Sequence, residues 1–230
     1  MLASAHQESR SVKIRLVTVN EPPRPGLSSS LAQEAIRRSL SRRQDAAEND
    51  VRRMIEVGRD LLSQGSNPRV ADIVEAADLS NDAFYRYFRG KEDFVAAVVE
   101  DGGHRLLAYV ERKMAEHDGA EARLRAAITA IMSQAGDPDI ATATRNILTT
   151  SIGRNQRATG ARLRLEAAMS DLLRAPLSEL GSSDPDRDSR SVAAMLMAQM
   201  ENFLWDEHPP SDEDLQHILT FVKKAVARAK

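Results

Sequence analysis

An all-α fold is what this sequence predicts, and three observations carry that expectation. Apolar residues recur at three- and four-residue spacing from Leu31 almost to the C-terminus. Glycine and proline fall between these periodic stretches, at Gly65, Gly119, Gly136 with Pro138, Gly181 to Pro185, and Pro209-Pro210. The alternation that marks a strand occurs only at Val12, Ile14 and Leu16, inside a tail closed by Glu21-Pro-Pro-Arg-Pro-Gly26. With no partner strand in view, residues 1–30 are expected to be disordered.

The first helix is expected over Leu31–Arg43, with Leu31, Ala35, Ile36 and Leu40 on one face. Its Arg37, Arg38, Arg42 and Arg43 form either a solvated basic face or an arm toward phosphates. A second, amphipathic helix is expected over Asp45–Gln64, striped by Val51, Met54, Ile55, Leu61 and Leu62 and stopped by Gly65. Two short helices follow at Arg69–Ala77 and Asn81–Phe88. Longer ones are expected at about 91–117, 120–135, 139–153, 157–180, 186–206 and 212–229. This divides the chain into an extension over 1–44, a small helical domain over 45–95, and a larger one over 96–230.

Composition limits the function classes. The 230 residues are 42% hydrophobic and 29% charged, with a formal net charge of -2. That is enough for one large core or two smaller ones. The first 95 residues are slightly basic and the rest slightly acidic. No cysteine is present, so disulfides, thiolate metal sites and cysteine nucleophiles are excluded. The longest apolar run, Val192 to Ala198, is far short of a membrane span, and no apolar leader is visible. A cytoplasmic protein without membrane contact is expected.

The stretch Arg69 to Phe88 carries the chemistry. Val70, Ile73, Val74 and Ala77 share one helix face, and Ala76 and Ala77 are small enough for a second helix to cross closely. Leu79 plugs the turn. Ser80 is an N-cap whose hydroxyl can accept the backbone N–H of Ala83. Phe84 and Phe88, four residues apart, face inward. These are the requirements of a helix-turn-helix, in which Asn81, Asp82, Tyr85 and Arg86 point outward to read base edges or hold phosphates.

Ala-Asp-Ile-Val-Glu-Ala-Ala-Asp-Leu-Ser, then Phe84-Tyr-Arg-Tyr-Phe88, then Lys91-Glu-Asp-Phe94 resemble the signature of TetR-family transcriptional regulators. The likeness runs from Val51 to Val99, about a fifth of the chain, and the Tyr-x-Tyr-Phe-x-x-Lys spacing is its specific part. The resemblance implies a homodimer whose recognition helices enter successive major grooves of a palindrome-like double-stranded operator. It implies that Tyr85, Tyr87 and Lys91 lie at phosphates, and that Arg69 stands where the family often has Thr or Ser. It also implies that the last two helices pair between protomers. Two departures from the pattern are Asp78, where glycine is common, and Asp82, where small residues are common. The first tolerates left-handed backbone, and the second puts base preference in question. The candidate DNA-facing residues are thus Arg69, Ser80, Asn81, Asp82, Tyr85, Arg86, Tyr87 and Lys91.

Other signals are weaker. Glu100 with His104 and Glu213 with His217 have i, i+4 spacing but no further ligands, so no metal is expected. Asp184, Asp186 and Asp188 read as acids before a helix N-terminus. Gly102-Gly103 is either a hinge or a place of close packing. Arg154, Arg157, Arg162 and Arg164 read as a solvated basic face. Val192–Trp205, nearly apolar all round, suits a core and a dimer interface, with Leu215, Leu219 and Val222 of the last helix as further interface candidates. A ligand pocket in the helices from 120 to 206 would suit a mainly apolar effector, with or without an anionic end. Asn146, Thr150, Met197 and Gln199 are its candidate contacts. No catalytic motif or cofactor site is present, so the expectation is a regulator, most simply a repressor released by its effector. A constitutive DNA-binding or helical interaction protein without a ligand is the alternative.

Overall fold

The computed structural model describes residues 30–151 and 156–227. The strand-like Val12–Leu16 segment, Arg154 and the last residues of the chain lie outside the described residues. The described residues form helices and turns without strands. In order, the helices are α1 (Ser30–Ser63), α2 (Val70–Ala76), α3 (Asn81–Tyr87), α4 (Lys91–Ala115), α5 (Ala120–Gly136), α6 (Pro138–Ser151), α7 (Gln156–Glu179), α8 (Pro185–Trp205) and α9 (Asp212–Val226). No helix among them is long and apolar enough to cross a membrane.

The chain divides into two units, residues 1–45 and 46–230. In the first, the described residues are helical, Arg37, Arg38, Arg42 and Arg43 are exposed, and so are Leu31, Ile36 and Leu40. Where two helices were expected between residues 31 and 64, one continuous helix is found. Ser41-Arg-Arg-Gln-Asp45 contains neither glycine nor proline, so nothing in the local sequence breaks the hydrogen-bond ladder. The helix ends where predicted: Gly65 takes φ +75° and its N–H donates to the Leu62 carbonyl at 3.0 Å.

The second unit holds two apolar cores. Met54 and Leu62 of α1, Ile73 and Val74 of α2, Phe84 of α3, and Phe94, Val95 and Val98 of α4 build the first. The three phenylalanines Phe84, Phe88 and Phe94 stack with centroids 5.2–5.5 Å apart, near the favoured edge and tilted geometries. Gly58 lets α1 lie directly on the Phe94 ring; a Cβ there would fall well inside contact distance. The second core is larger and draws on α4 from Leu106 to Met114 together with α5, α7, α8 and α9. Helix α4 therefore contributes its N-terminal turns to one core and its C-terminal turns to the other.

Helix ends follow the local chemistry. Asp184 caps α8 by accepting the N–H of Arg187 at 3.1 Å, with Pro185 in the first turn. The three aspartates at 184, 186 and 188 thus serve a helix start, and the described residues contain no group of three possible metal ligands. Ser211 and Asp214 form a reciprocal capping box at the start of α9. The Ser211 hydroxyl and then its backbone N–H hold the Asp214 carboxyl below its ordinary range. Helix α4 is unbroken through Gly102-Gly103. A Cβ at Gly103 would meet the Leu165 side chain of α7 at 3.3 Å, so close packing accounts for that glycine.

Candidate functional site

Helices α2 and α3 meet through a four-residue turn, Ala77 to Ser80. The Ala77 N–H returns to the Ile73 carbonyl at 3.0 Å, and the Leu79 N–H reaches the Val74 carbonyl at 2.8 Å. Asp78 sits between them at φ +53°, a conformation that a short polar side chain tolerates better than most. Of the two small residues expected at the crossing, Ala77 is buried and Ala76 is exposed, so Ala77 alone provides the close approach. Ser80 Oγ accepts the Ala83 N–H at 3.1 Å, fixing the first turn of α3 and leaving its own O–H free to donate.

With Ala83, Phe84 and Phe88 buried, the opposite side of α3 is fixed. Asn81, Asp82 and Arg86 are exposed, and Tyr85 is 60% exposed. Arg86 lies over the Tyr87 ring at 5.8 Å. Tyr87 differs from its neighbours. It is half-buried, and its hydroxyl donates to Asp50 Oδ2 of α1 at 3.2 Å. A phosphate oxygen only accepts, so Tyr87 cannot donate to a phosphate while that bond holds; its role here is to tie α3 to α1.

Two cations flank α3. Arg69, at the N-terminus of α2, is 84% exposed in its side chain and pairs with Asp72 at 3.2 Å. The Arg69 backbone N–H, at 2.7 Å, and then its guanidinium lower the Asp72 carboxyl from its ordinary range. Lys91 opens α4 and its Nζ contacts Asn67 Oδ1. Arg89 also lies here, exposed, although no motif singled it out. Its backbone N–H donates to Asp93 Oδ2 at 3.0 Å, the main cause of a lowered Asp93 carboxyl, with Arg157 adding to it.

A cavity of about 140 Å³ lies in the larger helical region, lined mainly by apolar side chains of α4, α6, α7 and α8. Met197 lines it. Asn146, Thr150 and Gln199 do not. The Asn146 amide donates to the Ser63 carbonyl at 2.8 Å, tying α6 to the end of α1, and Thr150 donates to the Asn146 carbonyl one turn back at 3.1 Å. Of the arginines expected to be a solvated face, the described Arg157, Arg162 and Arg164 are exposed, and each also pairs with an acid: Arg157 with Asp93, Arg162 with Glu201 at 3.0 Å, and Arg164 with Glu100 at 2.9 Å. Arg162 and Glu201 both line the cavity, as does Arg59 of α1. Burial raises the Glu201 carboxyl above its ordinary range; Arg162 opposes that shift and Glu166 reinforces it.

Leu219 and Val222 are each only 1% exposed and belong to the protomer's own core, so they offer no surface to a second chain. Leu215 is half-buried. On the outer side of α9 it is Phe221 that stands out, at 55% exposure. The periodicity of the last helix identified its apolar stripe correctly, but a stripe does not say which core it enters.

Comparison with known proteins follows the same division. Residues 55–98 match the family model described as bacterial regulatory proteins, tetR family. A sequence comparison with curated proteins finds no match. Among solved structures, a TetR-family transcriptional regulator from Rhodococcus sp. shares 18% identity, with a TM-score of 0.61 over 78% of this chain and 100% of that one. One from Streptomyces coelicolor shares 17% identity, with a TM-score of 0.55 over 87% of this chain and 97% of that one. The regulator FadR from Bacillus subtilis, solved with stearoyl-CoA, shares 16% identity, with a TM-score of 0.54 over 76% of this chain and 96% of that one. At these identities the structural likeness establishes a shared fold. Residues 55–98 are therefore a TetR-family domain, set in a fold that solved TetR-family regulators share.

Proposed function

We propose that this protein is a sequence-specific DNA-binding transcriptional regulator, a repressor that works as a homodimer and leaves its operator when a small effector occupies the helical domain. One observation carries the DNA reading. A capped helix, locked from behind by Phe84 and Phe88, presents Asn81, Asp82, Tyr85 and Arg86 together on its exposed side. Lys91 and Arg69 stand at the neighbouring helix starts, where cations meet a phosphate backbone.

The dimer rests on the family resemblance and on the outer side of α9, where Phe221 supplies exposed apolar area. The effector reading rests on the cavity lined by Met197 and its neighbours. A ligand there changes operator affinity only if it binds the two conformations of the dimer unequally.

Asn81 and Lys91 separate the roles. An amide pairs bidentately with adenine, so Asn81→Ala is expected to lose about 1–3 kcal/mol on the best duplex and to relax preference at one base position. Lys91→Ala is expected to weaken all sequences alike and to flatten the salt dependence by about one counterion. Fluorescence anisotropy on a panel of single-base operator variants at several salt concentrations reads both. Equal changes in base preference for the two variants would contradict this division.

A further inference from the structure

We propose that the cavity accepts a small, mainly apolar carboxylate, and that Arg59 is the residue that receives its carboxyl group. The proposal rests on the effector reading above and goes further by naming the chemical class. Size gives the first limit. A cavity of about 140 Å³ is close to the roughly 150 Å³ that holds benzene in an apolar protein core. It suits a single ring or a short branched chain.

Charge gives the second limit. The charged residues in the lining are Arg59, Arg162 and Glu201. Arg162 and Glu201 already neutralise each other at 3.0 Å. Arg59 is poorly matched. Its nearest acids, Asp60 and Asp101, each stand at 3.6 Å, beyond the ~2.7–2.9 Å of a charge-assisted hydrogen bond. Arg59 Nη1 and Asp101 Oδ2 are both shut off from solvent, and neither makes a hydrogen bond. A guanidinium in this condition is best completed by a planar carboxylate, which takes two of its N–H groups at once. A cationic ligand finds no equivalent, because Glu201 is occupied and Asp101 is not part of the lining.

Asp101 is not stranded when Arg59 turns to a ligand, since Arg105 stands 3.9 Å from the same oxygen. Arg59 is on α1 and Asp101 on α4, and their contact joins the helix that holds Tyr87 to the helix that begins at Lys91. A carboxylate that draws Arg59 away from Asp101 therefore loosens a tie between two elements of the DNA-binding face.

The test uses the full-length protein with three probes of one ring size: benzoate, toluene and benzylamine. Thermal denaturation and operator binding are measured with each. Benzoate is expected to raise Tm more than the other two and to weaken operator binding. Arg59→Met keeps the aliphatic stem and is expected to raise the Kd for benzoate about tenfold or more, leaving toluene unaffected. Asp101→Asn removes the competing charge and is expected to tighten benzoate, a readout that stands even if Arg59→Met does not fold. Equal stabilisation by all three probes, or benzoate binding unchanged in both variants, would overturn the carboxylate assignment while leaving the cavity a binding site. No stabilisation by any probe would overturn the assignment and the effector reading together.

Discussion

Phe84→Ala is expected to unfold the DNA-binding helices. Phe84 is fully buried and touches the rings of Phe88 and Phe94 at centroid distances of 5.3 and 5.5 Å. Its truncation removes the transfer energy of a whole ring and leaves a cavity that α1, α2 and α4 cannot all close, a loss of about 3–5 kcal/mol. Against a typical domain stability of about 5–15 kcal/mol, that is enough to populate the unfolded helices near physiological temperature. Chemical denaturation followed by circular dichroism reads the loss, and operator binding should disappear with it. Tyr85→Ala is the control one residue away. Tyr85 is 60% exposed, so its removal should leave the denaturation midpoint nearly unchanged and weaken DNA binding alone. A Phe84→Ala protein that melts like the parent would mean that α3 is not held by this aromatic cluster.

Leu219→Asp is expected to be as severe, through the other core. Leu219 is 1% exposed among the residues of the larger cluster, and a carboxylate placed there has no partner and no water. An uncompensated buried charge costs several kcal/mol, even after the group has shifted its pKa to reduce it. The variant should lose its cooperative melt. Phe221→Asp lies two residues away with 55% of its surface exposed, and should stay folded. It is the substitution that reports on association, and sedimentation should show it shifted toward monomer. A folded, monomeric Leu219→Asp protein would show instead that this side chain faces another chain.

The sequence revealed most where the determinants are local. The cap at Ser80, the left-handed turn at Asp78 and the inward pair Phe84 and Phe88 each depend on residues within one or two turns. All are found as read. Helix boundaries followed from glycine and proline for the same reason, and the one false break, near Asp45, had neither residue to mark it. The cavity was far less legible. Asn146 looked like a pocket residue, but its amide is spent on the Ser63 carbonyl, a contact 83 residues away in sequence. Arg162 reads as part of a solvated basic face, and nothing in the sequence singles out Arg59. Only the packing of α1 and α7 against α4 and α8 brings them to the cavity wall. A polar side chain's direction within a helical bundle is set by which helices cross it, and periodicity along one helix does not contain that information.

The central claim is that α3 reads base sequence, and selection of duplexes from a random pool by the purified full-length protein tests it most directly. The expected result is enrichment of an inverted repeat, with half-sites about one helical turn of 10–10.5 base pairs apart or slightly more, and a preference that Asn81→Ala relaxes at one position. Rounds of selection that enrich no sequence, with binding that is only salt-sensitive and blind to base order, would contradict it.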